Sequence, residues 1–292
     1  MGGAALSSAL LGVDRIAVVP SPSAVSLTTS DGVRLAAQHW DTGLRDLGCV
    51  VAHGFTGSSQ TLRVVAICRE LASRGIGVLA VDLRGHGGSG GYSTVGADET
   101  HDIAASVDWL RGHGYRRVAA LGWSMGGSAV LRYAGLGGPV DAVVSVSSPG
   151  RWFERGTRPM RVLEWMVSHR SGRVLLRLTR HTRVSPVAWA VTPEAPHEVV
   201  GAIAPTPLLV VHGDADHYFP MEHPELLRAA APDAHVWIEP GMAHAETATE
   251  PELVQRIADW LTAADGANLG TGGTRVPRTA VDAQVCDDGA RD

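Results

Sequence analysis

Ser124 lies in the stretch Gly122-Trp123-Ser124-Met125-Gly126, directly after an apolar run and directly before a segment of helical spacing. A serine on so sharp a strand-to-helix turn sits in strained backbone, and the flanking glycines leave room for the turn to close. The helix behind it aims unpaired N–H groups at the hydroxyl. Such a serine can act as a nucleophile. Taken alone, it can equally well be a helix cap.

Three further stretches could complete the chemistry. His53-Gly54-Phe55-Thr56-Gly57 follows an earlier apolar run. A loop there can aim the Phe55 N–H at an oxygen that gains negative charge, and the Met125 N–H would be the second donor. Val211-His212-Gly213-Asp214-Ala215-Asp216 ends a late run, and a carboxylate at Asp214 or Asp216 can orient an imidazole. Gly241-Met242-Ala243-His244 puts a histidine on a loop, and an imidazole there suits a general base. Each stretch alone reads as well as a turn, a cap or a packed residue. Their order decides the matter. Ser124, an aspartate and His244 each follow a strand, and in an open α/β sheet the carboxyl ends of the strands share one edge.

The elements that must position these residues are legible from periodicity. Alternation over 24–40, broken at Asp31-Gly32, predicts a β-hairpin. Apolar runs at 48–52, 76–81, 117–121, 140–146, 207–211 and 234–238 predict buried strands. Helical spacing covers 61–74, 98–111, 124–134, 224–230 and 251–261. Strands apolar on both faces and alternating with helices argue a mostly parallel central sheet with helices on both faces. The alternation breaks over 151–200, where nine arginines and three tryptophans gather in a pattern of two or three amphipathic helices. The expected organisation is an N-terminal extension over 1–23, a core over 24–150 and 203–264, a small helical cap inserted at 151–202, and a disordered tail over 265–292.

Composition narrows the class. With 45% hydrophobic and 19% charged residues the chain can bury a core, and a net charge of -5 gives no reason to expect nucleic acid as partner. All 25 basic residues are arginine, which fits a GC-rich bacterial source. Cys49, Cys68 and Cys286 are odd in number and lack metal-ligand spacing. They point to neither a disulfide framework nor a zinc site, and to a reducing, cytoplasmic compartment. The apolar run at 4–13 has no basic residue before it and is not expected to act as an export signal.

On these motifs the chain resembles the α/β-hydrolase superfamily over about residues 25–262. Asp82-Leu83-Arg84-Gly85-His86-Gly87-Gly88-Ser89 is similar to that family's D-x-R-G-H-G-x-S loop, which shapes the floor near the site. The family's G-x-x-D, laid on Gly213-Asp214-Ala215-Asp216, selects Asp216, with Asp214 as the fallback. The start H-G-F-T-G-S resembles bacterial serine esterases and monoacylglycerol-lipase-like hydrolases. The resemblance implies a triad of Ser124, His244 and Asp216, an oxyanion hole of the Phe55 and Met125 N–H groups, and hydrolysis of a small acyl ester without cofactor or metal. Thioesterase, lactonase or amidase activity on the same triad, or a non-catalytic ligand-binding member of the fold, are the alternatives. A serine at the elbow excludes the aspartate-nucleophile dehalogenases and epoxide hydrolases.

The inserted segment holds Trp152, Phe153, Trp165, Met166 and Trp189, which read first as packing residues. Trp123, Trp152, Phe153 and Trp165 are the candidates for a substrate pocket. The nine arginines recur in steps of three and four. That spacing reads as a solvated helix face, with anionic lipid or an acidic substrate group as the alternative contact. His53, His86 and His212 read as loop-packing residues. Oligomeric state is not legible.

Overall fold

The computed structural model describes residues 19–263, so the run at 4–13, most of the expected N-terminal extension, Cys286 and the 265–292 tail lie outside the described residues. The Asp31-Gly32 turn closes a hairpin of β1 (Ser23–Thr28) and β2 (Arg34–Trp40), paired so that Leu27 faces Leu35. The buried runs become β3 (Leu47–Ala52), β4 (Gly77–Val81), β5 (Arg117–Trp123), β6 (Ala142–Val146), β7 (Leu208–Gly213) and β8 (His235–Glu239). They form one sheet in the order β1-β2-β4-β3-β5-β6-β7-β8. The β1–β2 and β2–β4 pairs run antiparallel and the other five parallel.

Two strands reach further than apolarity alone indicates. β5 continues through Gly122 and Trp123 because both still pair with β6, at Ser145 and Val146. β7 continues to Gly213, which pairs with Glu239. These extra residues carry the strands up to the catalytic candidates.

Side chains alternate across the sheet. Ala119, Leu121 and Trp123 of β5 join one core with α1 (Leu62–Ser73) and α8 (Pro251–Ala263). Val118 and Ala120 join the opposite core with α2 (Glu99–Gly112), α3 (Met125–Gly135) and, through Leu227, α7 (Glu222–Ala230). Leu121, Ile257, Ile103 and Leu131 are fully buried, and burial of each such side chain contributes about 2 kcal/mol. The two cysteines that are described, Cys49 and Cys68, are buried and free.

Between β6 and β7 the chain forms α4 (Arg158–Ser168), α5 (Arg170–Arg180) and the short α6 (Pro196–Val199). α4 and α5 make a tight helical hairpin. A Cβ at Gly172 would stand 2.5 Å from the Met166 Cα, so only glycine lets the two backbones meet. The segment returns across the 82–89 loop, where the Arg183 N–H donates to Gly85 O at 2.7 Å and the Ser93 N–H donates to Arg183 O at 2.7 Å. Among the described residues, no helix is long and apolar enough to cross a membrane.

Candidate active site

Ser124 stands between β5 and α3 with φ 49° and ψ -115°, a left-handed conformation that costs about 1–3 kcal/mol for a residue with a side chain. Its own N–H is held by Val146 O at 2.9 Å, and the Ser128 N–H bonds back to Ser124 O at 3.0 Å. The turn is possible only because its neighbours lack side chains. A Cβ at Gly122 would lie 2.3 Å from Gly126 O, and one at Gly126 would lie 2.4 Å from Ala52 O.

His244 follows β8 and presents Nε2 to Ser124 Oγ at 3.0 Å and Nδ1 to Asp216 Oδ2 at 2.7 Å. Asp216, from the loop after β7, accepts the Tyr218 and Phe219 N–H groups on Oδ1 at 2.8 and 3.1 Å. Burial alone would raise its pKa. The hydrogen bond and charge of His244, together with the two amides, outweigh burial and hold it below 3.8. With Asp216 ionised, Nδ1 of His244 must carry the proton, which leaves Nε2 free to accept one from Ser124. Tyr218 stacks on the His244 ring at 4.4 Å between centroids, and Phe219 meets it edge-on at 5.4 Å. Asp214, the fallback carboxylate, is exposed and accepts the Gly241 N–H at 2.6 Å. It serves that turn, and Asp216 faces the histidine.

The loop after β3 is fixed by its own hydrogen bonds. Gly54 O accepts His53 Nδ1–H at 2.7 Å and the Gly57 N–H at 3.0 Å. In a trans peptide the N–H points opposite to the carbonyl, so pinning Gly54 O aims the Phe55 N–H the other way. Neither the Phe55 nor the Met125 N–H donates to another group among the described residues. Met125 is the first residue of α3, where an orphan donor and the positive end of the helix coincide.

The three loop histidines pack rather than reach toward Ser124. His53 Nε2 accepts the Leu83 N–H at 3.1 Å. His86 bonds Arg84 O through Nδ1 at 3.0 Å and meets the rings of His53 and Phe55 edge-on. Burial, helped at His53 by the neighbouring His86 ring, pushes both pKa values down to about 4. His212 Nε2 bonds Phe219 O at 2.9 Å. The D-x-R-G-H-G-x-S loop is a scaffold. Asp82 accepts the Ser59 and Gly88 amides at 2.6 and 2.8 Å, and Arg84 bridges Asp102 and Asp31 at 2.9 and 2.8 Å.

A cavity of about 450 Å³ opens beside Ser124, bounded by Phe55 and Met125 below and by the inserted segment above. Trp152 and Phe153 line it, with Trp189 and, from α4, Met160, Leu163 and Val167. Two sequence-based expectations are corrected. Trp123 is fully buried in the α1/α8 core with Nε1 on Thr249 Oγ1 at 3.0 Å, because it shares its sheet face with Ala119 and Leu121. Trp165 lies on the outer side of α4 beside Arg158, Arg161 and Val162, since the cavity takes the Met160–Leu163–Val167 stripe of that helix.

Three residues near the site escape a reading by motif. Glu246, two positions after His244, accepts the Gly54 N–H on Oε1. Tyr218 is the ring stacked on His244. Glu154 lines the cavity and accepts His223 Nε2–H at 3.1 Å, while His223 Nδ1 accepts the Gly150 N–H at 2.9 Å. No local pattern marks them, because each meets its partner far away in sequence.

Comparison with known proteins agrees with the fold. Residues 49–256 match the model of an alpha/beta hydrolase family. A monoacylglycerol lipase of Mycolicibacterium smegmatis is 28% identical across 79% of this chain and 93% of its own length. An esterase of Pyrococcus furiosus superposes with a TM-score of 0.65 at 23% identity, covering 82% of this chain and 90% of that one. An alpha/beta hydrolase of a Penicillium species gives 0.68 at 19% identity, covering 82% and 98%.

Proposed function

This chain belongs to the alpha/beta hydrolase family, and we propose that it is a serine hydrolase of carboxylic esters with an apolar acyl group. The observation that carries the reading is one hydrogen-bonded line, Ser124 Oγ to His244 to Asp216, ending on a cavity that also receives two unpartnered backbone donors. Esterase and lipase relatives support ester hydrolysis in general terms.

In the proposed reaction His244 Nε2 takes the Ser124 proton as Oγ attacks the acyl carbon. Asp216 keeps Nδ1 protonated and stabilises the imidazolium that forms. The carbonyl electrons move onto oxygen, where the Phe55 and Met125 N–H groups each stabilise the charge by about 3 kcal/mol. Collapse expels the alkoxide, which takes the proton from His244. Water, deprotonated by the same nitrogen, then attacks the acyl-enzyme, and as the bond to Ser124 Oγ breaks His244 returns that proton to Oγ and the acid is released. Residues 151–202 act as the cap over the acyl group. Its apolar stripe suits a hydrocarbon or aromatic acyl chain better than a charged one.

Ser124→Ala tests this. Hydrolysis of a nitrophenyl butyrate should fall by at least about a thousandfold with the melting temperature little changed, since alanine keeps the Cβ and with it the strain of the elbow. Activity within tenfold of the parent would remove Ser124 from the mechanism.

A further inference from the structure

Exposed large apolar side chains are not spread evenly over the described surface. Eight of the thirteen are in the segment between β6 and β7: Phe153, Val162, Trp165, Val174, Leu175, Leu178, Val187 and Val191. Charge is concentrated there too. Between residues 155 and 193 stand eight arginines and one acidic residue, Glu164, in a chain whose net charge is -5.

α5 shows how the two features combine. Gly172 and Leu176 are its buried positions, and they turn it against the rest of the protein. At 100° per residue, Val174, Leu178 and Leu175 fall within an arc of about 100°, and Arg170, Arg173, Arg177 and Arg180 within another of about 80°. Leu178 is 73% exposed, and Val174 and Leu175 are each about half exposed. Arg173 is the exception among the basic residues: its guanidinium folds back onto the Val167 and Ser168 carbonyls at the end of α4. Arg158, Arg170, Arg177 and Arg180 make no ion pair among the described residues. The outer side of α4 continues the pattern with Arg158, Arg161, Val162 and Trp165 together.

We propose that the outer face of the α4–α5 hairpin docks on an anionic lipid surface. Exposed apolar side chains flanked by unpaired arginines match both layers of such a surface, acyl chains below and phosphates above. A second copy of this chain fits poorly, since a two-fold contact would set arginine against arginine. An acidic protein or RNA would satisfy the arginines and leave Leu178, Val174 and Trp165 against polar groups. Docking does not depend on the ester-hydrolase reading. Its use does, since the surface would bring the cavity next to a store of apolar esters.

The test is sedimentation of the full chain with phosphatidylcholine vesicles, with and without about a third phosphatidylglycerol. The anionic vesicles should bind at least about tenfold more protein, and half-molar salt should reverse most of the gain. Val174→Asp/Leu178→Asp and Arg170→Glu/Arg177→Glu should each cut binding about tenfold. Both pairs lie away from the cavity and should leave soluble nitrophenyl ester hydrolysis unchanged. Equal binding to both vesicles, or variants that bind like the parent, would overturn docking while the hydrolase reading stood. So would dimerisation by light scattering that Leu178→Asp abolishes in a protein that ignores vesicles. Loss of ester hydrolysis in Ser124→Ala with vesicle binding intact would separate the two claims from the other side.

Discussion

The edge of the sheet and the segment between β6 and β7, the proposed cap, border the same cavity under opposite constraints. At the edge almost every backbone group near Ser124 has an assigned partner, and Gly122 and Gly126 sit where no other residue fits. In the cap, α4 has no buried residue and α5 has two. On the proposed reading, chemistry that needs sub-ångström placement sits on the rigid side. On the same reading, recognition of an apolar chain, which tolerates slack, is left to the loose side. The contrast gives each region its own failure mode. Changes at the edge should cost rate or the fold itself, and changes in the cap should shift substrate preference.

The largest break in that contrast should come from Asp216→Asn. The amide can still accept the Tyr218 and Phe219 N–H groups, but it removes the charge that fixes the His244 tautomer. We expect kcat to fall about 10⁴-fold with the melting temperature little changed, measured on a soluble ester. A loss below tenfold would mean His244 is oriented by something else.

Acid should come next. Burial holds His53 and His86 at about 4 against an ordinary 6.5. Between those values the unfolded chain binds protons that the folded one refuses, so stability rises with pH across the window and is lost on acidification from 6.5 toward 4. His212 and His223, also lowered by burial, act in the same direction. Asp216, lowered, keeps its contribution until the pH falls through 3.8 and below. Asp102, which burial raises to about 7, acts in the opposite direction, so the effect is read as the change in the pH 7.5 against 4.5 difference of urea midpoints when His86 is replaced by Gln, and an unchanged difference would contradict the buried, neutral state of that ring.

A smaller loss is expected from Glu246→Ala. The carboxylate ties the histidine loop to Gly54, so its removal should loosen the Phe55 donor and cut kcat by about tenfold to thirtyfold with KM nearly constant. Glu246→Gln, which keeps an acceptor, should recover most of the rate. An alanine variant with parental kcat would leave Glu246 as a surface residue. Least of all, Leu163→Ala on the cavity stripe of α4 should raise KM several-fold for a long-chain nitrophenyl ester and hardly alter it for the acetate. Equal effects on both esters would remove the stripe from acyl recognition.

The same contrast explains what the sequence made legible. The hairpin follows from alternation, and the central strands with their flanking loops follow from short apolar runs that end in turn chemistry, so the elbow and the loops of Asp216 and His244 are legible directly. Trp123 belongs to the core and not to the pocket because its parity with Ala119 and Leu121 points it to the same face of the sheet. Trp165 is harder, since α4 is amphipathic in two directions and only packing against α5 decides which stripe faces the cavity. Glu246 and Tyr218 depend on contacts between loops far apart in sequence, which no local pattern encodes.

Treatment with a fluorophosphonate followed by peptide mass spectrometry addresses the reactive hydroxyl most directly. One adduct, on Ser124, formed quickly in the parent and at least about a hundredfold more slowly in His244→Ala, is the expected result. Labelling of another residue, or an unlabelled Ser124 in a protein that still cleaves esters, would contradict a nucleophile at this elbow.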